Sequence, residues 1–225
     1  MKKIFQNRFS LLFSFLLFYI VLSQIVRISL YFLSITNIDF SALSIAKILL
    51  FGLLFDCSVA LFFGLIYGLY LIVIPSKIIG SKLDKIFTYF IISLLLFISF
   101  FAFFSEFPFW DEFNTRFNFI AVDYLIYTFE VVENINQSYP IPLIVFTLIL
   151  CILLVLYFFK KKQIFTHTFQ SKTPLKIRLL ILIPYFLITF LLAYFLKNQV
   201  AEWSSNSYEN ELSKNGVFSF FAAFR

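Results

Sequence analysis

Two charged residues stand where charge is expensive. Arg27 and Asp56 each interrupt a long apolar run, Asp56 within Phe51-Gly52-Leu53-Leu54-Phe55-Asp56-Cys57. An ionised side chain at the centre of a bilayer costs about 2.5–3.5 kcal/mol on insertion scales, so such a residue pairs, snorkels or marks a functional path. Arg27 lies near one end of its run and is within reach of the interface by snorkelling. Asp56 lies near the middle of its own run and has no such escape. Two roles stay open for it: a helix-packing group bonded to a hydroxyl or shared with Arg27, or a group beside a lipid or ion path. A second set of candidates is Trp110, Asp111 and Glu112, followed by Arg116, a lone cation among Glu106, Asp111, Glu112, Asp123, Glu130 and Glu133. A guanidinium in that company reads as an ion-pair partner or as a phosphate ligand. Other reactive groups are sparse. Cys57 and Cys151 sit in apolar stretches, where a free thiol behaves as a small core residue. His167, the single histidine, has no cysteine or carboxylate at ligand spacing. Neither a metal nor a cofactor is expected in this chain.

Composition says what must position these residues. Of 225 residues, 61% are hydrophobic and only 13% charged, against about 25% charged in an average soluble domain. The mean hydropathy of +0.94 has the same source. A soluble enzyme, a disordered chain and a disulfide-framed secreted domain are all excluded. A membrane helix needs about 20 mostly apolar residues, and five segments qualify: 9–33, 46–74, 86–105, 141–159 and 177–196. The first is too long and aromatic for a cleaved signal peptide and reads as a retained anchor. Gly64-Leu65-Ile66-Tyr67-Gly68 supplies a small-residue face for helix packing.

The net charge is +6, but the basic residues cluster beside the apolar runs, which points to membrane orientation and away from nucleic acid. Lys2, Lys3, Arg8, Lys77, Lys82, Lys85, Lys160, Lys161, Lys162, Lys172, Lys176 and Arg178 all fall on one side of a five-span arrangement. The N-terminus is then cytoplasmic and the C-terminus external, in a multi-pass protein of a bacterial cytoplasmic (inner) membrane. The expected fold is an all-α membrane protein of five transmembrane helices with one further external helix. That helix lies in the segment 106–140, where Phe113, Phe117, Ile120, Tyr124, Tyr127 and Val131 recur at three- and four-residue spacing. Such a helix rests on the bilayer surface, with Trp110 and the tyrosines at headgroup level. Residues 1–196 form the membrane domain and 197–225 an external linker.

Two patterned stretches resemble the lipoteichoic acid synthase family of sulfatase-like phosphoglycerol or phosphoethanolamine transferases. The first is Phe109-Trp110-Asp111-Glu112-Phe113-Asn114-Thr115-Arg116-Phe117-Asn118-Phe119-Ile120-Ala121-Val122-Asp123-Tyr124-Leu125, continued by Glu133-Asn134-Ile135 and Ser138-Tyr139-Pro140. The second is Glu211-Leu212-Ser213-Lys214-Asn215-Gly216-Val217-Phe218 with Phe221-Ala222-Ala223-Phe224, similar to the linker that precedes the catalytic domain in that family. The resemblance implies a membrane anchor acting in cell-envelope glycopolymer or lipid modification, and a phosphatidylglycerol-type lipid among its partners. It also implies a large catalytic domain with a threonine nucleophile and a divalent metal, usually manganese. This sequence stops where that domain would begin, so no catalytic, cofactor or metal residue is carried over. On this reading the chain alone is inactive and its partner is a separately encoded sulfatase-like domain. Two other readings compete. One is a non-catalytic membrane adaptor for a separate envelope enzyme; the other is a small transporter, for which no inverted repeat is visible.

Overall fold

The computed structural model describes residues 7–38, 41–126, 133 and 139–224. All regular structure among them is helical. Five helices are long and apolar enough to cross a membrane: α1 (Ser10–Leu33), α2 (Ala42–Val73), α3 (Lys82–Phe113), α5 (Ile141–Lys161) and α7 (Leu175–Phe195). The chain is a multi-pass membrane protein. In hydrocarbon every backbone N–H and C=O must be bonded internally, and a helix does this within one segment. The short helices are α4 (Phe119–Ile126), α6 (Ile164–Gln170), α8 (Ser207–Ser213) and α9 (Gly216–Ala222).

The expected spans are recovered, with shifted ends. The third, expected over 86–105, runs as α3 from Lys82 to Phe113. Hydropathy falls at Ser105-Glu106, but the helix continues through Pro108 because nothing there stops it until Asn114, which adopts a left-handed φ of 53°. That break also divides the expected amphipathic pattern. Phe113 closes α3, Phe117 lies in a turn, and Ile120 and Tyr124 belong to α4. Tyr127, Val131, Glu130 and the Asn136-Gln137-Ser138 sequon lie outside the described residues.

α1, α2 and α3 form the centre of the bundle. Tyr19 of α1 touches Phe63 of α2 and Phe103 of α3, with ring centroids 5.5 and 5.2 Å away. α7 packs on α2 at the small-residue face: Tyr185 and Leu16 crowd Gly64, and Phe186 lies 3.1 Å from where a Cβ on Gly68 would stand. The Gly64–Gly68 motif thus serves packing within the chain. α5 lies against α3 and α6, with most of its side chains exposed. Outward-facing apolar residues such as Val21, Leu153 and Leu180 form the surface a bilayer would cover.

Both ends of the central helices are pinned by buried charges. At the end holding the start of α1 and the close of α2, Arg8 donates to both carboxylate oxygens of Asp84, at 2.9 and 2.6 Å. Asp84 also accepts from the Tyr70 hydroxyl and the Gly80 N–H, each at 2.7 Å. Burial alone would push the Arg8 guanidinium down, but the hydrogen bond and charge of Asp84 outweigh it and raise it above the ordinary arginine range. Arg178 of α7 donates to the Leu71 and Ile74 carbonyls at 2.6 and 2.7 Å, satisfying the orphan groups at the close of α2. Arg8 and Arg178 enter the sequence argument only as orientation charges; in the fold they are buried structural groups. His167 belongs to α6.

Asp84→Ala leaves Arg8 buried without its carboxylate, which should destabilise the fold by about 3 kcal/mol, since breaking a buried pair strands its partner. Thermal unfolding in detergent checks this: Tm should fall sharply for Asp84→Ala and by much less for the Arg8→Met, Asp84→Leu double variant.

Candidate functional site

The second buried charge cluster lies at the opposite end of the bundle, and it contains three of the six candidates read from the sequence. Arg27 of α1 donates from Nη2 to Asp56 Oδ1 of α2 at 2.6 Å, and both side chains are fully buried. Arg27 therefore does not snorkel. Its other terminal nitrogen, Nη1, donates to the carbonyls of Leu212 and Lys214, the latter at 2.7 Å. Those carbonyls belong to the segment that follows α7. Asp56 in turn accepts from Gln24 Nε2 at 2.9 Å and from Asn215 Nδ2 at 2.8 Å. An ionised carboxylate is an acceptor only, and here it meets three donors.

The tail after α7 is folded into the bundle. Leu212, Ser213, Asn215 and Gly216 are buried, Phe218 packs edge-on to Phe55 at 4.9 Å, and Phe221 meets Phe62 at 6.1 Å. Two local rules produce this path. Asn206 and Asn215 each cap a short helix, accepting from the N–H of Tyr208 and of Phe218. Glycine at 216 allows close approach, since a Cβ there would stand 2.7 Å from Glu106 Cδ. On the other side of the pair, Gly52 leaves room for the Arg27 guanidinium, which a side chain at 52 would strike.

Arg116 completes the cluster. Its Nη1 is ion-paired with Glu106 Oε2, and its backbone N–H donates to Glu211 Oε2 at 3.1 Å. Of the two roles open to it, the structure places it in an ion pair. Burial, and after it the positive charge of Arg27, push Arg116 down to about 9, so it remains a cation at neutral pH. Trp110 stands beside the cluster, donating from Nε1 to Ser34 Oγ at 2.9 Å and meeting the Tyr208 ring at 6.4 Å. Asp111 and Glu112 are not brought in; both are exposed on the last turn of α3. Glu112 instead faces Tyr124 of α4, whose phenol is pushed up by burial first and then by the Glu112 charge.

What the Arg27–Asp56 pair can do chemically follows from how many of its atoms are engaged, although Arg27 Nε, and beside the pair Arg116 Nε, Arg116 Nη2 and Glu106 Oε1, are buried without a hydrogen-bond partner among the described residues. Each terminal nitrogen of Arg27 and each oxygen of Asp56 is engaged by protein, and several of the partners come from the tail. This is a latch that joins the first two helices to the C-terminal segment. Among the described residues, no three His, Cys, Asp or Glu side chains lie together as metal ligands would. Asn215 and Gln24 escape the sequence argument, which leaves Arg116 a choice of carboxylates; Glu106 is the one it meets. The one available signal for Asn215 is its place in Lys214-Asn215-Gly216, a helix-start pattern in a tail that has no other reason to be ordered.

The fold and cluster define a five-helix membrane bundle closed by its own tail. No protein-family model, curated protein or solved structure matches the chain.

Asn215→Ala removes a donor to Asp56 and the cap of α9, each worth about 1 kcal/mol, and should loosen the tail. Trp203 reports this, because it stacks near Phe51, lies under Lys47 at 4.7 Å and donates to Ser213 Oγ at 2.9 Å. In a Trp110→Phe background the Trp203 emission should shift to the red, and protease should cut near 204–207. Asp56→Ala should do the same more strongly, whereas Leu180→Ala on the outer face of α7 should do neither.

Proposed function

We propose that this chain is the membrane-anchoring portion of a sulfatase-like phosphoglycerol or phosphoethanolamine transferase of the lipoteichoic acid synthase type. The observation that carries the reading is the latched tail. The stretch 211–224, one of the two that resemble the family, is held against the bundle by a buried ion pair. An anchor that only tethers could leave its linker free. One that sets the height and angle of a catalytic domain must fix it, and a fixed linker aims such a domain at the bilayer surface.

The orientation supports the same reading. With the basic loops cytoplasmic, the latch, α4 and the acidic residues Asp111 and Glu112 are external, where lipid headgroups and envelope polymers are the substrates. α4 then lies at the outer interface, beside the Trp110–Tyr208 pair that marks headgroup level. The chain supplies the anchor and presents a phosphatidylglycerol-type lipid, while a sulfatase-like domain carrying the divalent metal supplies the chemistry. A second reading, the non-catalytic adaptor, draws on the exposure of Asp111 and Glu112, which would serve as its docking face for a basic partner.

Three measurements test this. In a Cys57→Ala, Cys151→Ala background, Gln163→Cys should be reached by an impermeant thiol reagent only in inverted vesicles, and Ser205→Cys only in intact cells. The reverse pattern would sink the orientation. The purified chain should transfer no phosphoglycerol with or without manganese, and the DNA after the codon for Arg225 should encode a sulfatase-like domain. Transfer by the chain alone defeats the anchor reading. Unrelated genes downstream, with a basic envelope enzyme captured on the chain and lost on Asp111→Lys, Glu112→Lys, favour the adaptor.

A further inference from the structure

A groove of about 790 Å³ runs along the outside of the bundle between α1 and α5. Its walls are apolar: Leu17, Val21 and Ile25 on one side, Leu154, Val155 and Phe158 on the other. One end is different. There Lys162 and His167 line it together with Ser14, and α6 closes it. Lys162 Nζ stands 5.7 Å from the ring of Phe158, on the last turn of α5. This end is the one that holds Arg8 and Asp84, far from the latch.

Its dimensions identify the occupant. From Ser14 to Ile25 the groove covers twelve residues of α1, eleven rises of 1.5 Å or about 16 Å, close to half of the ~30 Å hydrocarbon thickness. That is the depth of one leaflet. A volume in this range suits a single hydrocarbon ligand, since binding pockets run to roughly 300–1,000 Å³. The charge is complementary to an anion as well. From Lys160 to Lys176 the sequence carries Lys160, Lys161, Lys162, Lys172 and Lys176 and no carboxylate. The nearest acid at this end of the bundle, Asp84, is already occupied by Arg8.

We propose that this groove is a binding site for one anionic phospholipid of the leaflet at the basic end of the bundle. Its acyl chain lies between α1 and α5, and its phosphate sits on Lys162 and His167. The proposal is independent of the transferase reading, which concerns the opposite face. It needs only that the chain spans a membrane.

Native mass spectrometry of the full chain released from nanodiscs of mixed phosphatidylglycerol and phosphatidylcholine tests it. The wild-type protein should retain one lipid, with phosphatidylglycerol preferred by about fivefold, the size of one cation's effect at a membrane surface. Lys162→Gln, His167→Gln should retain a lipid without that preference. Val21→Trp, which fills the groove, should retain none, while Leu180→Trp on the far surface of α7 should behave as wild type. Trp110 and Trp203 emission checks that each variant keeps its fold. Equal retention of the two lipids by the wild type would overturn the proposal. So would an unchanged adduct in Val21→Trp, displacement of the adduct by millimolar inorganic phosphate, or a lipid-free dimer that Val21→Trp dissociates.

Discussion

A guanidinium and a carboxylate buried together in hydrocarbon hold only if most of their remaining donors and lone pairs are also met. The attraction between the two charges roughly offsets the cost of removing them from water, and the added hydrogen bonds decide the balance. For Arg27 and Asp56 those bonds come from Gln24 one turn away and from the Leu212 carbonyl, the Lys214 carbonyl and the Asn215 amide. The position of the tail and the tolerance of the pair are therefore one property. Gly52 and Gly216 are the spatial side of the same constraint, because each leaves the volume that Arg27 or Glu106 fills.

The other end of the bundle answers the same problem with different parts. Asp84, near the start of α3, gathers Arg8, Tyr70 and Gly80 around one carboxylate, and Arg178 closes the exposed carbonyls of α2. Between these two polar plates the helices are held by aromatic contact, Tyr19 against Phe63 and Phe103, and by the close approach at Gly64. α5 stands outside this scheme. It shares no buried charge with the centre, and its looser seat leaves the groove beside α1.

Much of the fold is legible in the sequence because hydrocarbon imposes a simple rule on long apolar runs. The rule fails at helix ends, where polarity no longer reports backbone geometry. α3 keeps its helix past Ser105, where Glu106 finds Arg116, a partner ten residues on that hydropathy cannot see. The period beginning at Phe113 looks continuous, yet Asn114 turns the backbone and ends it. Arg27 and Asp56 are recognisable by residue type alone, since an intramembrane charge needs a reason. Asn215 is not, being an ordinary amide 159 residues from the carboxylate it serves. Arg8 and Arg178 show the converse: the sign of a basic residue is legible, but whether it faces water or a buried partner is decided by the packing.

The latch also sets an order of events in the life of the chain. A protein made from its N-terminus inserts α1 and α2 first, with Arg27 and Asp56 already in place and Gln24 beside them. The groups that complete their coordination leave the ribosome only after all five spanning helices. The first two helices therefore wait on a segment that follows the fifth, and their buried pair lacks these partners until residues 212–215 arrive. Assembly is thus gated by the arrival of residues 212–215: a nascent chain halted before them carries two under-satisfied charges in its core.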